Sequence, residues 1–396
     1  MTPAHEAIDA LIIGAGPAGL MAAEMLASRG HGVVVCDAKP SVARKFLMAG
    51  KSGLNLTKNE PLDEFLRAFD PCPPALEHAL GEFGPSQTIE WAEGLGQEMF
   101  TGSSGRVFPK AMKASPLLRA WLTRLDATGV EIRAKWRLVG LTDHAEFDTP
   151  QGPRTVAAKA TILALGGASW ARLGSDGRWT ALLSSACDLT PFAPANAALD
   201  IAWSDHMTRH FGTPVKGIAL SAGRFQSRGE CVVSSRGLEG GGIYSVSRGV
   251  REGLPLHIDL LPDWTEERVH TVMGSRKRKE TLSSFLRRAF RLPPAKIALV
   301  MEYGRKAPDI GSVLKSLEIS PLTLRPMDEA ISTAGGVAFS AITEDFELKA
   351  MPGVYVAGEM LDWEAPTGGY LITACLATGR AAGLAASRAL TASRAG

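Results

Sequence analysis

An apolar run that passes straight into a glycine turn constrains this chain more than any other feature. Ala10–Ile13 leads directly into Gly14-Ala15-Gly16-Pro17-Ala18-Gly19, a helical pattern follows from Leu20 to Arg29, and a second apolar run, Gly32–Cys36, stops at Asp37. Short runs of this composition read as parallel strands buried on both faces. Strand, tight turn, helix, strand and acid therefore fall within about thirty residues, the spacing of a dinucleotide-binding unit. Each part has a physical task. Gly14 permits the turn, Gly16 lets the backbone approach a pyrophosphate, and Gly19 allows close helix–strand packing. Pro17 and Ala18 lead into a helix whose free amides and dipole favour phosphate. Asp37, followed by Ala38, is placed to accept from a ribose diol, and its charge disfavours the extra phosphate of NADP.

This pattern suits FAD and NAD alike, and the closing segment favours FAD. Gly353–Gly358 is a short strand ending in glycine, followed by Glu359 and, after a brief loop, by Pro366-Thr367-Gly368-Gly369-Tyr370 and a small-residue helix through Gly379 and Gly383. Glycine amides and a helix start can approach a flat ligand and stabilise the electron-rich edge of a reduced isoalloxazine. Mid-chain, Ala160–Leu165 is another strand ending in glycines, Gly166 and Gly167. The expectation is an α/β protein whose Rossmann-like FAD-binding domain, of the two-dinucleotide-binding-fold type, is assembled from residues 1–187 and 326–396. The competing reading is an NAD enzyme whose C-terminal glycines are only turns.

Between those segments the texture changes. Residues 188–260 show short alternating runs among prolines and glycines, which predicts an inserted β-rich, barrel-like domain. Residues 261–325 turn helical, with Leu282, Phe285, Leu286 and Ala289 on one face and a basic set on the other that includes Arg276, Lys277, Arg278, Lys279, Arg287 and Arg288. The plain reading is a solvated helical subdomain face, and the sharper one is a patch for RNA.

Composition excludes several classes. At 45% hydrophobic and 21% charged residues the chain is globular, and a formal net charge of +2 gives no whole-chain attraction for a polyanion. Five scattered cysteines without a CxxC argue against a disulfide framework or a zinc site and fit a reducing cytoplasm. None of the eight histidines joins a cluster, so no metal is expected. The apolar stretch from Ile8 to Ala27 lacks a basic leader and is broken by Asp9, the turn and Glu24, so it reads as fold rather than secretion signal. No run approaches the roughly eighteen apolar residues of a transmembrane helix.

Several further segments carry a family resemblance: Arg44-Lys45-Phe46-Leu47-Met48-Ala49-Gly50 leading to Asn55-Leu56-Thr57, Gly105-Arg106-Val107-Phe108-Pro109, and Thr333-Ala334-Gly335-Gly336-Val337. With the closing segment they resemble, in order, the bacterial YhiN-type flavoproteins, the group that also holds the BaiN-like and aminoacetone-oxidase-like proteins. That resemblance implies a FAD domain with an inserted β-rich domain and a helical one. It adds Lys45, Gly50, Lys51, Asn55, Gly335 and Gly336 to the cofactor site. The chain departs from the family where GGGRCN becomes Gly50-Lys51-Ser52-Gly53-Leu54-Asn55, and where FTxxGxSGP becomes Val233–Gly241. These changes mark a divergent subgroup.

Three residues are candidates for chemistry. Lys51 could stabilise an anionic reduced flavin, Glu239 could serve as a base or bind an amine, and Tyr370 could donate a proton. Only one dinucleotide fingerprint is present, so electrons come from the substrate or from a nicotinamide, NADH or NADPH, that docks transiently. The sequence leaves open a FAD-dependent oxidoreductase acting on a small molecule (amine oxidation or C=C reduction), a flavin-dependent reductase of a pyrimidine in RNA, and a non-catalytic flavin-binding protein. No attachment motif is evident, so FAD is expected to bind non-covalently.

Overall fold

The computed structural model describes residues 5–50 and 53–395. The chain forms two compact units, one running to Ala193 and resuming at Ser332, the other spanning Pro194–Ile331.

The first unit is built on a seven-stranded sheet. Its parallel part runs Glu131–Ala134, Val33–Asp37, His5–Ile13, Arg154–Leu163, and an antiparallel hairpin, Arg137–Leu141 with Ala145–Asp148, extends it from the start of the long strand Arg154–Leu163. Val354–Val356 pairs in parallel with the far end of that same strand, Val354 opposite Thr161. The run Ala10–Ile13 is at most 2% exposed, which is why it carries no polar alternation. The helix Pro17–Ala27 covers one face of the sheet, and the long helix Tyr370–Ala395 lies against it. The contact is close because a Cβ at Gly379 would run into the Ala18 carbonyl, and one at Gly383 would come within 2.8 Å of the Ala22 carbonyl oxygen. The two ends of the sequence thus share one core.

The second unit holds a seven-stranded antiparallel sheet in the order Leu317–Ile319, Leu256–Asp259, Thr213–Ala222, Phe225–Ser234, Gly237–Glu239, Leu199–Asp200, Thr323–Leu324. The helix Leu282–Phe290 starts at Thr281, whose hydroxyl accepts from the Ser284 amide, and its apolar face sends Phe285, Leu286 and Phe290 into the core with Val215, Leu220 and Ile258. Strands and helices of this unit therefore share one core. Among the described residues no helix is long and apolar enough to cross a membrane.

Candidate dinucleotide site

The first glycine turn delivers an unblocked helix start. Gly14 adopts φ +106°, and a Cβ there would strike the Ala164 carbonyl, so no other residue fits. Gly16 ends the turn with open space on the side a Cβ would occupy, and Gly19 packs against the Gly14 carbonyl. The helix begins with Pro17 at its first turn, has no side-chain cap and carries no acidic residue there. Its first amides and dipole are left to an anion.

Asp37 sits at the end of the neighbouring strand. Its Oδ2 accepts the Ala15 amide at 3.0 Å and its Oδ1 the Lys39 amide at 2.8 Å, which leaves each oxygen a further lone pair for a ribose hydroxyl. Burial pushes the carboxyl above its ordinary range, and these two amides pull against that shift.

Around these groups lies a cleft enclosing about 820 Å³ of empty space, its open mouth included. It gathers Gly14, Gly16, Pro17, Ala18, Asp37, Ala38, Lys45, Gly166, Gly358 and Glu359 from distant parts of the sequence. Sequence reasoning did not anticipate Trp136, Leu138, Ser175 and Cys375, which also line it. Trp136 and Leu138 arrive through the antiparallel hairpin, a long-range pairing with no local motif. The Cys375 thiol is pushed up to about 12 by burial, with the Glu359 charge adding to the shift, so it stays a thiol.

Lys45 and Glu359 hold the far end of the cleft together. The Lys45 ammonium donates to Glu359 Oε2 at 2.6 Å and to Ser169 Oγ at 2.7 Å, while Glu359 Oε1 accepts the Thr333 amide at 3.1 Å. The glycine cradles are tied down from behind. The Trp179 indole donates to the Gly166 carbonyl at 2.8 Å, the Trp363 indole to the Gly358 carbonyl at 2.9 Å, and the Gly358 amide to Thr378 Oγ1 at 3.0 Å.

Tyr370 opens the closing helix in a separate polar cluster. It donates to Glu60 Oε1 at 2.7 Å and accepts from Lys58 Nζ at 2.8 Å, and Lys58 and Glu60 pair at 2.5 Å. Its ring packs on Phe65 and Phe69. Burial raises the phenol, the Lys58 contact opposes and the Glu60 contact adds to it, and the net shift is upward. Burial disfavours the Lys58 ammonium, but its bonds to Glu60 and Tyr370 outweigh that and raise it. Nothing in the spacing of Lys58 and Glu60 distinguishes them from surface residues until the fold brings Tyr370 to them.

The other expected residues are not among those lining this cleft. Gly50 abuts Ala114, Gly167 abuts Thr333, Gly335 lies against the Pro191 carbonyl and Gly336 against that of Met360. Gly369 lies on the Thr57 backbone, and Gly368 neighbours the Tyr370 ring. Asn55 keeps a buried Oδ1 without a protein partner. Lys51 lies outside the described residues. Glu239 belongs to the second unit, where Arg325 Nη1 holds it at 3.0 Å in a network that also takes in Asp200, Arg236 and Glu329. Among the described residues no group of three or more His, Cys, Asp or Glu could hold a metal.

The cleft fits a dinucleotide. The uncapped helix start suits the pyrophosphate, Asp37 suits the ribose, and the buried Ser175 hydroxyl on the cleft wall has no protein partner.

The family profile described as HI0933-like protein Rossmann domain matches residues 8–385. The 3-dehydro-bile acid delta(4,6)-reductase of Clostridium scindens is 28% identical over 414 aligned residues, covering 95% of this chain and 98% of that protein. The ribosomal RNA dihydrouridine synthase of Escherichia coli is 24% identical, covering 92% of this chain and 94% of that protein. Among solved structures, the 3-ketosteroid delta1-dehydrogenase of Sterolibacterium denitrificans aligns with a TM-score of 0.52 at 11% identity, covering 98% of this chain and 100% of that one. At that identity the structural likeness speaks to the fold alone.

Proposed function

The chain belongs to the HI0933-like Rossmann family, and from that premise we propose that it is a FAD-dependent oxidoreductase reducing a carbon–carbon double bond of a small molecule. The observation that carries the reading is the cleft itself, where an uncapped helix start, Asp37 and the Lys45–Glu359 pair converge from opposite ends of the sequence. The two relatives narrow the chemistry. A delta(4,6)-reductase and a dihydrouridine synthase both saturate a C=C bond conjugated to a carbonyl, which favours reduction over amine oxidation.

FAD, once bound non-covalently, supplies the hydride equivalent. The remaining tasks belong to side chains. Asp37 orients the ribose, and the helix start at Pro17 holds the phosphates. Lys45 and Glu359 fix the glycine cradle, so that the cofactor meets a rigid surface. Tyr370 holds the proton that the second carbon of the double bond requires, kept on the phenol by its raised pKa and replaced through Lys58 and Glu60. By its place in the sequence Lys51 would offer the flavin a counter-charge, and a transiently docked NADH or NADPH would provide the electrons.

Purified protein should absorb at about 450 nm, a property of the flavin ring itself. In anaerobic stopped-flow, NADH or NADPH should bleach that band and a conjugated enone should restore it. Bleaching by simple amines, with no response to enones, would replace this reading with amine oxidation.

Reduction of a pyrimidine in RNA is the second reading, and it rests on the 24% identical relative. Its support is weaker because two of the expected RNA contacts are already engaged. Arg276 donates to the Glu280 carbonyl, and Arg288 pairs with the Glu280 carboxylate at 2.9 Å. RNA binding that falls steeply with salt and is lost on neutralising Arg276–Lys279 would reverse the order of the two readings.

A further inference from the structure

The second unit contains a basic cleft that plays no part in the function proposed above. It encloses about 1010 Å³ of empty space, its open mouth included, between three separate helical segments. The 3-10 turn Asp205–His210 brings Met207 and Arg209, the helix Leu282–Phe290 brings Arg287, and the segment from Pro294 onward brings Ile297, Met301 and Arg305. Ile297 and the half-buried Met301 form an apolar floor over the fully buried Met207, while the three arginines stand exposed at its edge.

Four observations separate this cleft from an ordinary solvated face. The arginines converge on one concavity from three segments instead of following one helix. Among the described residues none of the three has a carboxylate partner, whereas the neighbouring Arg288 does. The cleft's one carboxylate, Glu302, is turned to Ser204, accepting its amide at 2.8 Å on one oxygen and its hydroxyl at 2.6 Å on the other. The helix beneath is distorted into a π-helical turn at Val300–Gly304, which directly precedes Arg305. Such turns are frequent at functional sites.

We propose that this cleft is a binding site for a small organic phosphate, its phosphate gripped by Arg209, Arg287 and Arg305 and its apolar body resting on Ile297 and Met301. Guanidinium forks match phosphate oxygens in pairs, and three of them without counter-charges call for a ligand carrying more than one negative charge. The apolar floor calls for a ligand with more than a bare anion.

Titration calorimetry on the flavin-loaded protein tests this with 1-naphthyl phosphate, inorganic phosphate and 1-naphthoate. The phosphate ester should bind with one-to-one stoichiometry, inorganic phosphate at least tenfold more weakly for want of the floor, and the singly charged naphthoate more weakly than the ester. Each of Arg209→Ala, Arg287→Ala and Arg305→Ala should weaken the ester at least about tenfold, the loss of one charge-assisted bond. Arg276→Ala, outside the cleft, should leave binding unchanged. All four side chains are exposed, so the variants should fold, and circular dichroism would verify it. No saturable binding of the ester, or equal loss in Arg276→Ala, would overturn the proposal. So would binding confined to a single-stranded oligonucleotide, which would give the arginines to RNA. None of these outcomes bears on the flavin band, so the cofactor reading stands or falls separately.

Discussion

Asp37 illustrates how one side chain couples cofactor affinity to pH. Burial raises its pKa, so on acidification it takes up a proton at a higher pH than the roughly 3.9 of a free aspartate. Above that point the carboxylate accepts from the ribose, and below it one accepting oxygen becomes a donor. Flavin affinity should therefore fall as pH drops through the raised value. Asp37→Asn should bind FAD about tenfold to a hundredfold more weakly at neutral pH and lose the pH dependence, as fluorescence titration would show. Tyr370 carries the complementary prediction. Tyr370→Phe keeps the ring packing on Phe65 and Phe69 but removes the proton, so turnover should fall about 10²-fold or more with the flavin band intact. Because the phenol's pKa is raised, wild-type activity should persist to higher pH than a free tyrosine near 10 would allow, and then decline as the proton is lost. Unchanged turnover in Tyr370→Phe would remove it from the chemistry.

The closing helix Tyr370–Ala395 owes its place to small residues. Gly379 meets the Ala18 backbone where a Cβ has no room, so Gly379→Val must push the two terminal helices apart. Overpacking of this kind costs about 1–3 kcal/mol, and Tm should fall by roughly 2–4 °C for each kcal/mol, with flavin retention falling alongside because the helix carries Cys375 to the cleft wall and Thr378 to the Gly358 amide behind it. Gly81 offers the opposite case. It lies in the helix Pro74–Glu82 with nothing within 4 Å of where a Cβ would be, so Gly81→Ala should raise Tm slightly. Differential scanning calorimetry of the pair checks both signs. If both substitutions raise Tm, helix propensity and not the contact sets the outcome.

Across the whole molecule, the chain leaves the first unit and returns to it along paired strands, Leu189–Ala195 with Ser332–Val337. The Ala338 amide bonds to the Asp188 carbonyl at 3.0 Å and the Ile331 amide to the Asn196 carbonyl at 3.3 Å, so the two crossings run side by side. Every residue lining the cleft belongs to the first unit, so replacing Pro194–Ile331 with a short glycine linker should leave a folded protein that still turns yellow with FAD, measured by absorbance. A deletion that fails to take up FAD would mean that the second unit is needed to form the cleft. What the sequence determined alone is the strand–turn–helix with Asp37, because those residues act through local backbone geometry: a turn only glycine can make, a helix start left open, an acid at a strand end. Tertiary structure alone decided which other groups meet there. Lys45 finds Glu359 across more than three hundred residues, Trp136 comes in on a hairpin, and Lys58 and Glu60 gain meaning only from Tyr370. Such pairings depend on strand register and helix packing between distant segments, and no short stretch of sequence encodes either.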